Sequence, residues 1–156
     1  MKVFHASSII VDKPDVLHSR DYLDFGPGFY VTTLLEQAEK YSLRFIRRGK
    51  DAYLNTYNLS DDYKECKVLQ FDKYDESWLE YVSACRAGRI PDNSDIVIGG
   101  IANDKIFRTL DLYFAGDINK DEALKRLIYE RPNQQLCIRN QIVIDKYITF
   151  INSKKL

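Results

Sequence analysis

A chain of 156 residues, 45% hydrophobic and 29% charged, has the size and make-up of one globular domain with a continuous core, and it excludes a disordered or low-complexity protein. Lys+Arg and Asp+Glu both number 23, so the formal net charge is zero, which argues against an electrostatic grip on long duplex nucleic acid as the main business. Eleven Tyr and eight Phe supply large apolar area with polar handles. In chain order, Lys2 to His5 reads as a short strand ending in the small residues Ala6, Ser7 and Ser8. Residues 11–28, with Pro14, Gly26, Pro27 and Gly28, read as a loop with turns. Phe29 to Thr32 is rich in strand formers, and Thr33 with Glu36 three residues on matches a capping box. The helix that follows places Leu34, Leu35, Ala38, Tyr41, Phe45 and Ile46 on one stripe and stops at Gly49.

Ala52 to Leu59 and Lys67 to Phe71 read as strands, and Asp75 to Ala87 as a helix with Trp78, Leu79, Val82 and Cys85 inward. Asp95 to Gly99 is a buried strand ended by two glycines, followed by helices near 104–115 and 119–130, the first ended by Gly116. Gln135 to Ile138 is a strand, 141–147 a short helix, and Thr149 to Asn152 a last edge strand. Elements interleave without a regular βαβ rhythm, so a single α+β domain spanning 1–156 is expected.

The cations Lys40, Arg44, Arg47, Arg48 and Lys50 form a basic patch, and Asp61 to Glu80 is acidic; each reads as a solvated face. Cys66, Cys85 and Cys137 make no CxxC pair, so no metal site and no disulfide framework is expected. The opening MKVFHASSIIVDKPD lacks the apolar run of a signal peptide, and no stretch approaches the roughly 18–20 apolar residues that span a bilayer. A cytoplasmic location without a membrane partner is the expectation.

Three segments carry candidate chemistry. A histidine ending a strand, His5 before Ala6 and Ser7, offers a ring nitrogen or is a satisfied structural residue. Gly26 and Gly28 allow a sharp turn and a close approach, and Tyr30 just beyond either packs in the core or presents its face to a planar ring. Asn133, Gln134 and Gln135 are polar amides that open a buried strand and need partners.

Taken together, His5 after a first strand, the Gly28-Phe-Tyr-Val-Thr-Thr turn before a helix, and the amides opening a late strand resemble the ADP-ribosyltransferase superfamily, over nearly the whole chain. The resemblance is to its His-Tyr-Glu branch, which includes poly(ADP-ribose) polymerases, and within it to a bacterial family of toxins encoded beside small partner genes. It implies a mostly antiparallel split β-sheet flanked by helices, and NAD⁺ as a consumed co-substrate. It also implies a macromolecular acceptor, protein or nucleic acid, and a small antitoxin protein as partner. His5 would bond the adenosine ribose, and the backbone of Ala6, in place of the family's glycine, would clamp the nicotinamide amide. Ser7 would add a contact, Gly28 would keep the turn close to the ligand, Tyr30 would stack on nicotinamide, and Tyr41 would line the pocket or pack in the core. Gln135 stands where the family's glutamate is expected. A neutral amide holds a ribose hydroxyl but stabilises a developing oxocarbenium less than a carboxylate, and it is no general base. A slower mono-ADP-ribosyltransferase, a chemistry needing no base at this position and a silent NAD⁺-binding module therefore all follow. Arg20 is a candidate for the pyrophosphate. Asp104 reads as a helix cap or a cleft residue, and Glu130 as a helix end or a group brought near by the turn at Pro132.

Overall fold

In the computed structural model, which describes residues 1–101, 104–130 and 133–156, the chain is α+β with two sheets. The first sheet has strand order β1-β3-β7, from Lys2–Ser7, Tyr53–Leu59 and Ile148–Lys155, all antiparallel. The second has order β2-β6-β5-β4, from Phe29–Val31, Gln135–Ile138, Ile96–Gly99 and Val68–Gln70; only the β4–β5 pair is parallel. The helices are α1 (Leu35–Arg47), α2 (Glu76–Arg86), α3 (Asp104–Phe114), α4 (Lys120–Leu127) and α5 (Gln141–Tyr147).

Strand alternation sorts the side chains of the second sheet into two layers. Phe29, Val31, Ile96, Ile98, Leu136 and Ile138 face the first sheet, where they meet Val3, Tyr57, Leu59 and α5. Val97 and Cys137 face the other way, onto Trp78, Leu79 and Val82 of α2, Ile106 and Leu110 of α3, and Ala123 and Leu127 of α4. The expected inward face of α2 is thus observed, and Asp75 caps the helix by accepting from Trp78 N at 3.0 Å. A positive φ of 78° at Gly116 lets the chain turn between α3 and α4, where a Cβ would be strained.

Two expectations fail, both at α1. The capping box does not form: Leu34 occupies the cap without a side-chain bond, and the Thr33 hydroxyl donates to Gln134 Oε1 at 2.9 Å instead. The apolar stripe is not a core face either. Only Ala38 and Ser42 are buried in α1, while Leu34, Leu35, Tyr41 and Ile46 remain 38–47% exposed. Two small residues one helical turn apart let the helix lie close to β1, and that close seat leaves the flanking large side chains in solvent. The last strand is longer than expected, with Ile151 unpaired between Phe150 and Asn152 as a bulge.

Candidate functional site

The two sheets meet at one place. Phe4 N donates to Thr32 O at 2.8 Å and Thr32 N to Phe4 O at 3.0 Å, and this is the isolated bridge between β1 and the end of β2. In an antiparallel strand, the N–H and C=O of alternate residues point to the same neighbour. Those of Ala6 therefore point as those of Phe4 do, across the seam toward Tyr30. The rung is not made there, because the Tyr30 carbonyl is bonded by His5 Nδ1 at 2.7 Å. A carbonyl only accepts, so Nδ1 carries the proton and Nε2 is left as an acceptor. Burial lowers the His5 pKa, outweighing the bond to Tyr30 that raises it, and keeps the ring neutral. The sheets thus unzip at Ala6, itself only 7% exposed, with a main-chain donor and acceptor side by side and an imidazole next to them.

A residue outside the sequence-based candidates holds this arrangement. Asn55 of β3 is fully buried; its Oδ1 accepts from Val11 N at 3.0 Å, and its Nδ2 donates to His5 O and Ile9 O at 3.3 and 3.4 Å. Tyr57 adds a bond from its hydroxyl to Val11 O at 2.5 Å. These two side chains fold the loop after β1 back over the first sheet. An asparagine within a strand-like run carries no pattern of its own, and only the register that places it beside His5 reveals its work.

The other candidates scatter. Ser7 Oγ accepts from Ile9 N at 3.3 Å and so turns the chain beyond β1. Tyr30 does not share the His5 side of the sheet. Its hydroxyl donates to Gly26 O at 2.5 Å and accepts from Phe25 N at 3.1 Å, locking the glycine turn, and its ring packs with the α2 layer, where burial raises its pKa far above the tyrosine value. Gly28 is a packing position. A Cβ there would stand 2.7 Å from both Cys137 Sγ and Ile138 O, while its N–H donates to Ser19 Oγ at 3.0 Å. Tyr41 is exposed, its ring 5.8 Å from that of Phe45 and covered by the Arg44 guanidinium at 4.1 Å. Arg20 lies exposed in the loop with no ion pair among the described residues.

Gln135 stands opposite Gly99 and alternates with Cys137, so it turns to the helical layer, away from His5. Gln134 is the amide on the other side: Thr33, continuing the alternation of Phe29 and Val31, reaches its Oε1, and Thr32 Oγ1 donates to its carbonyl at 2.7 Å. Asn133 Oδ1 accepts from Ile101 N at 2.8 Å and is structural. Glu130 pairs with Lys105 at 2.6 Å rather than folding toward the seam. The side chain of Asp104 and the turn at Pro132 lie outside the described residues. Two further clusters hold the fold: Arg86 clamps Asp24 at 2.6 Å under the glycine turn, and Arg139 ties Asp92 at 3.1 Å and Tyr81 at 2.6 Å. Among the described residues no group of His, Cys, Asp or Glu could hold a metal, and no helix is long and apolar enough to cross a membrane.

The fold is thus a two-sheet α+β domain with a histidine and an open main-chain rung where the sheets part. The chain belongs to the family described as protein of unknown function (DUF3990), whose model matches residues 1–150. No curated protein and no solved structure matches it.

Proposed function

We propose that the chain is a mono-ADP-ribosyltransferase that consumes NAD⁺ and modifies a macromolecular acceptor, acting in the cytoplasm as the toxin of a pair with a small antitoxin protein. The observation that carries the NAD⁺ reading is the open rung at Ala6. A buried main-chain donor and acceptor left unpaired are costly, and together they match a primary carboxamide, which donates through its NH₂ and accepts through its oxygen. Nicotinamide presents that group. His5, held by the Tyr30 carbonyl through Nδ1, keeps its Nε2 lone pair as an acceptor for a ribose hydroxyl. The methyl of Ala6 alters neither main-chain group.

In the reaction the bond between ribose C1′ and the nicotinamide nitrogen breaks, its electron pair leaves with nicotinamide, and an acceptor nucleophile bonds C1′ and loses its proton. Gln134, oriented by Thr33, is the amide on the side of His5 and takes the role of holding the 2′-hydroxyl that the resemblance gave to Gln135. The bond to Thr33 fixes the amide with Oε1 accepting, so donation falls to its Nε2 NH₂. Because this group is neutral, charge stabilisation in the transition state is weaker than with a carboxylate. The same neutrality favours a second reading, a module that binds NAD⁺ or ADP-ribose without turnover.

Thermal unfolding with NAD⁺ tests binding. At about tenfold excess over Kd, the native state gains roughly 1.4 kcal/mol, a rise of about 3–6 °C for a domain of this size. His5→Ala and Gln134→Ala are expected to lose this rise and Gln135→Ala to keep it; no rise in the unsubstituted protein at millimolar NAD⁺ refutes the reading. Nicotinamide release with cell fractions as acceptor then separates transferase from silent module.

A further inference from the structure

Away from the seam, α3 and α4 leave a groove of about 500 Å³ between them. Ile106 is the groove's apolar lining residue. Its walls follow from helical spacing: Lys105, Arg108 and Thr109 on α3, and Glu122, Lys125, Arg126 and Tyr129 along α4 and its end, recur at three and four residues and so line facing flanks. Two cations are neutralised in place, Lys105 by Glu130 at 2.6 Å and Arg126 by Glu122 at 3.1 Å. Arg108 and Lys125 have no partner among the described residues, one on each wall. At the groove's end the ring of Tyr129 is 87% exposed and Ile128 72% exposed, although nothing in the core needs an aromatic there.

We propose that this groove binds a short single-stranded nucleic acid, with successive phosphates on Arg108 and Lys125 and a base stacked on Tyr129. Charge complementarity calls for an anion, and two lone cations on opposite walls suit a chain of spaced charges better than one compact ion. The unpacked aromatic decides between anionic chains. A base has a π-face for it to stack on, which a run of carboxylates lacks. The zero net charge of the protein fits a grip of two phosphates rather than a long duplex footprint. Under the NAD⁺ reading the bound strand is the acceptor; the binding itself does not depend on that reading.

The test is fluorescence anisotropy of labelled 12-mer oligo(dT) and oligo(rU) with the whole protein, without NAD⁺, from 50 to 200 mM salt. Two phosphate contacts on a single strand predict a slope near −1.4 in log affinity against log salt, about a sevenfold loss over that range. Arg108→Ala with Lys125→Ala removes most of that salt dependence, Tyr129→Ala weakens binding by about tenfold, and Tyr129→Phe keeps it. Stronger binding of one oligonucleotide identifies the sugar preferred. The proposal is overturned if neither oligonucleotide binds, if Tyr129→Ala leaves binding unchanged while circular dichroism shows a folded protein, or if poly-glutamate competes as well as the nucleic acid. NAD⁺-induced stabilisation measured on the same variants stays at the unsubstituted level, so failure of the groove and failure of the seam are read separately.

Discussion

The neutral state of His5 has a consequence for stability that the seam geometry makes measurable. Burial lowers its pKa in the folded chain, so between that value and about 6.5 the unfolded chain binds a proton that the folded chain does not. Stability must then rise with pH through this window and fall on acidification. The loss cannot exceed about 1.4 kcal/mol per pH unit, a fall in Tm of at most roughly 3–6 °C for each unit. Asp15, lowered chiefly by its bond from His18, and Asp92, lowered by Ser94, Tyr81 and Arg139 against its desolvation, lose their contributions only as pH falls below the ordinary carboxylate range. His18 and Asp15 are common to the unsubstituted protein and a His5 variant, so the difference between the two profiles from pH 7 to 5 reports His5. The perturbation is His5→Asn, which keeps an N–H donor near the place of Nδ1 for the Tyr30 carbonyl but does not titrate. Urea unfolding at half-unit steps from pH 7.5 to 5, on both proteins, is the assay. A flatter profile in the variant is expected, and parallel profiles would refute the claim that a buried neutral imidazole sits at the seam.

Three further outcomes follow from the packing. Asn55→Ala strands Val11 N and removes one donor each from His5 O and Ile9 O, and is expected to lower stability by about 1–3 kcal/mol and weaken NAD⁺-induced stabilisation with it, read by thermal unfolding with and without NAD⁺. Gly28→Ala forces a Cβ against the Ile138 carbonyl at 2.7 Å, where no side-chain rotation gives relief, and is expected to cost about 1–3 kcal/mol in denaturant unfolding. Burial pushes the thiol pKa of Cys85 up to about 11 and that of Cys137 to about 12, so at pH 8 the native protein should show iodoacetamide labelling at Cys66 alone, all three reacting only in denaturant.

Most of the fold was legible because its signals are local. The periodicity of Trp78, Leu79, Val82 and Cys85, the run Ile96 to Ile98 closed by glycine, and the stop at Gly116 each act within a few residues. The failures at α1 come from the tertiary level. Thr33 bonds a residue a hundred positions away rather than its own helix, and the stripe of Leu35 and Ile46 has nothing packed over it, which no periodicity reveals. Around the seam, strand alternation turns Gln134 rather than Gln135 to the side of His5, which the residue types do not reveal, since a shift of one residue in a strand reverses the face. Asn55 was invisible for the same reason in reverse: its importance lies in which strand lies beside it.

The pairing of β2 with β6 joins Val31 to Leu136, more than a hundred positions apart in the chain. Closing a loop of that length costs about 4 kcal/mol of chain entropy, against about 1.6 for a tight hairpin. Strand β2 is three residues long and is tied to β1 by a single bridge. A strand whose partner is so distant in the chain is expected to dock late in folding, which pulse-labelled hydrogen exchange at Val31 N checks. A chain caught partway, with its local helices formed, would have no open rung to offer a ligand. NAD⁺ added to such an ensemble would favour only the molecules that have completed their longest-range contact, and so act on the final step of folding rather than on the early ones.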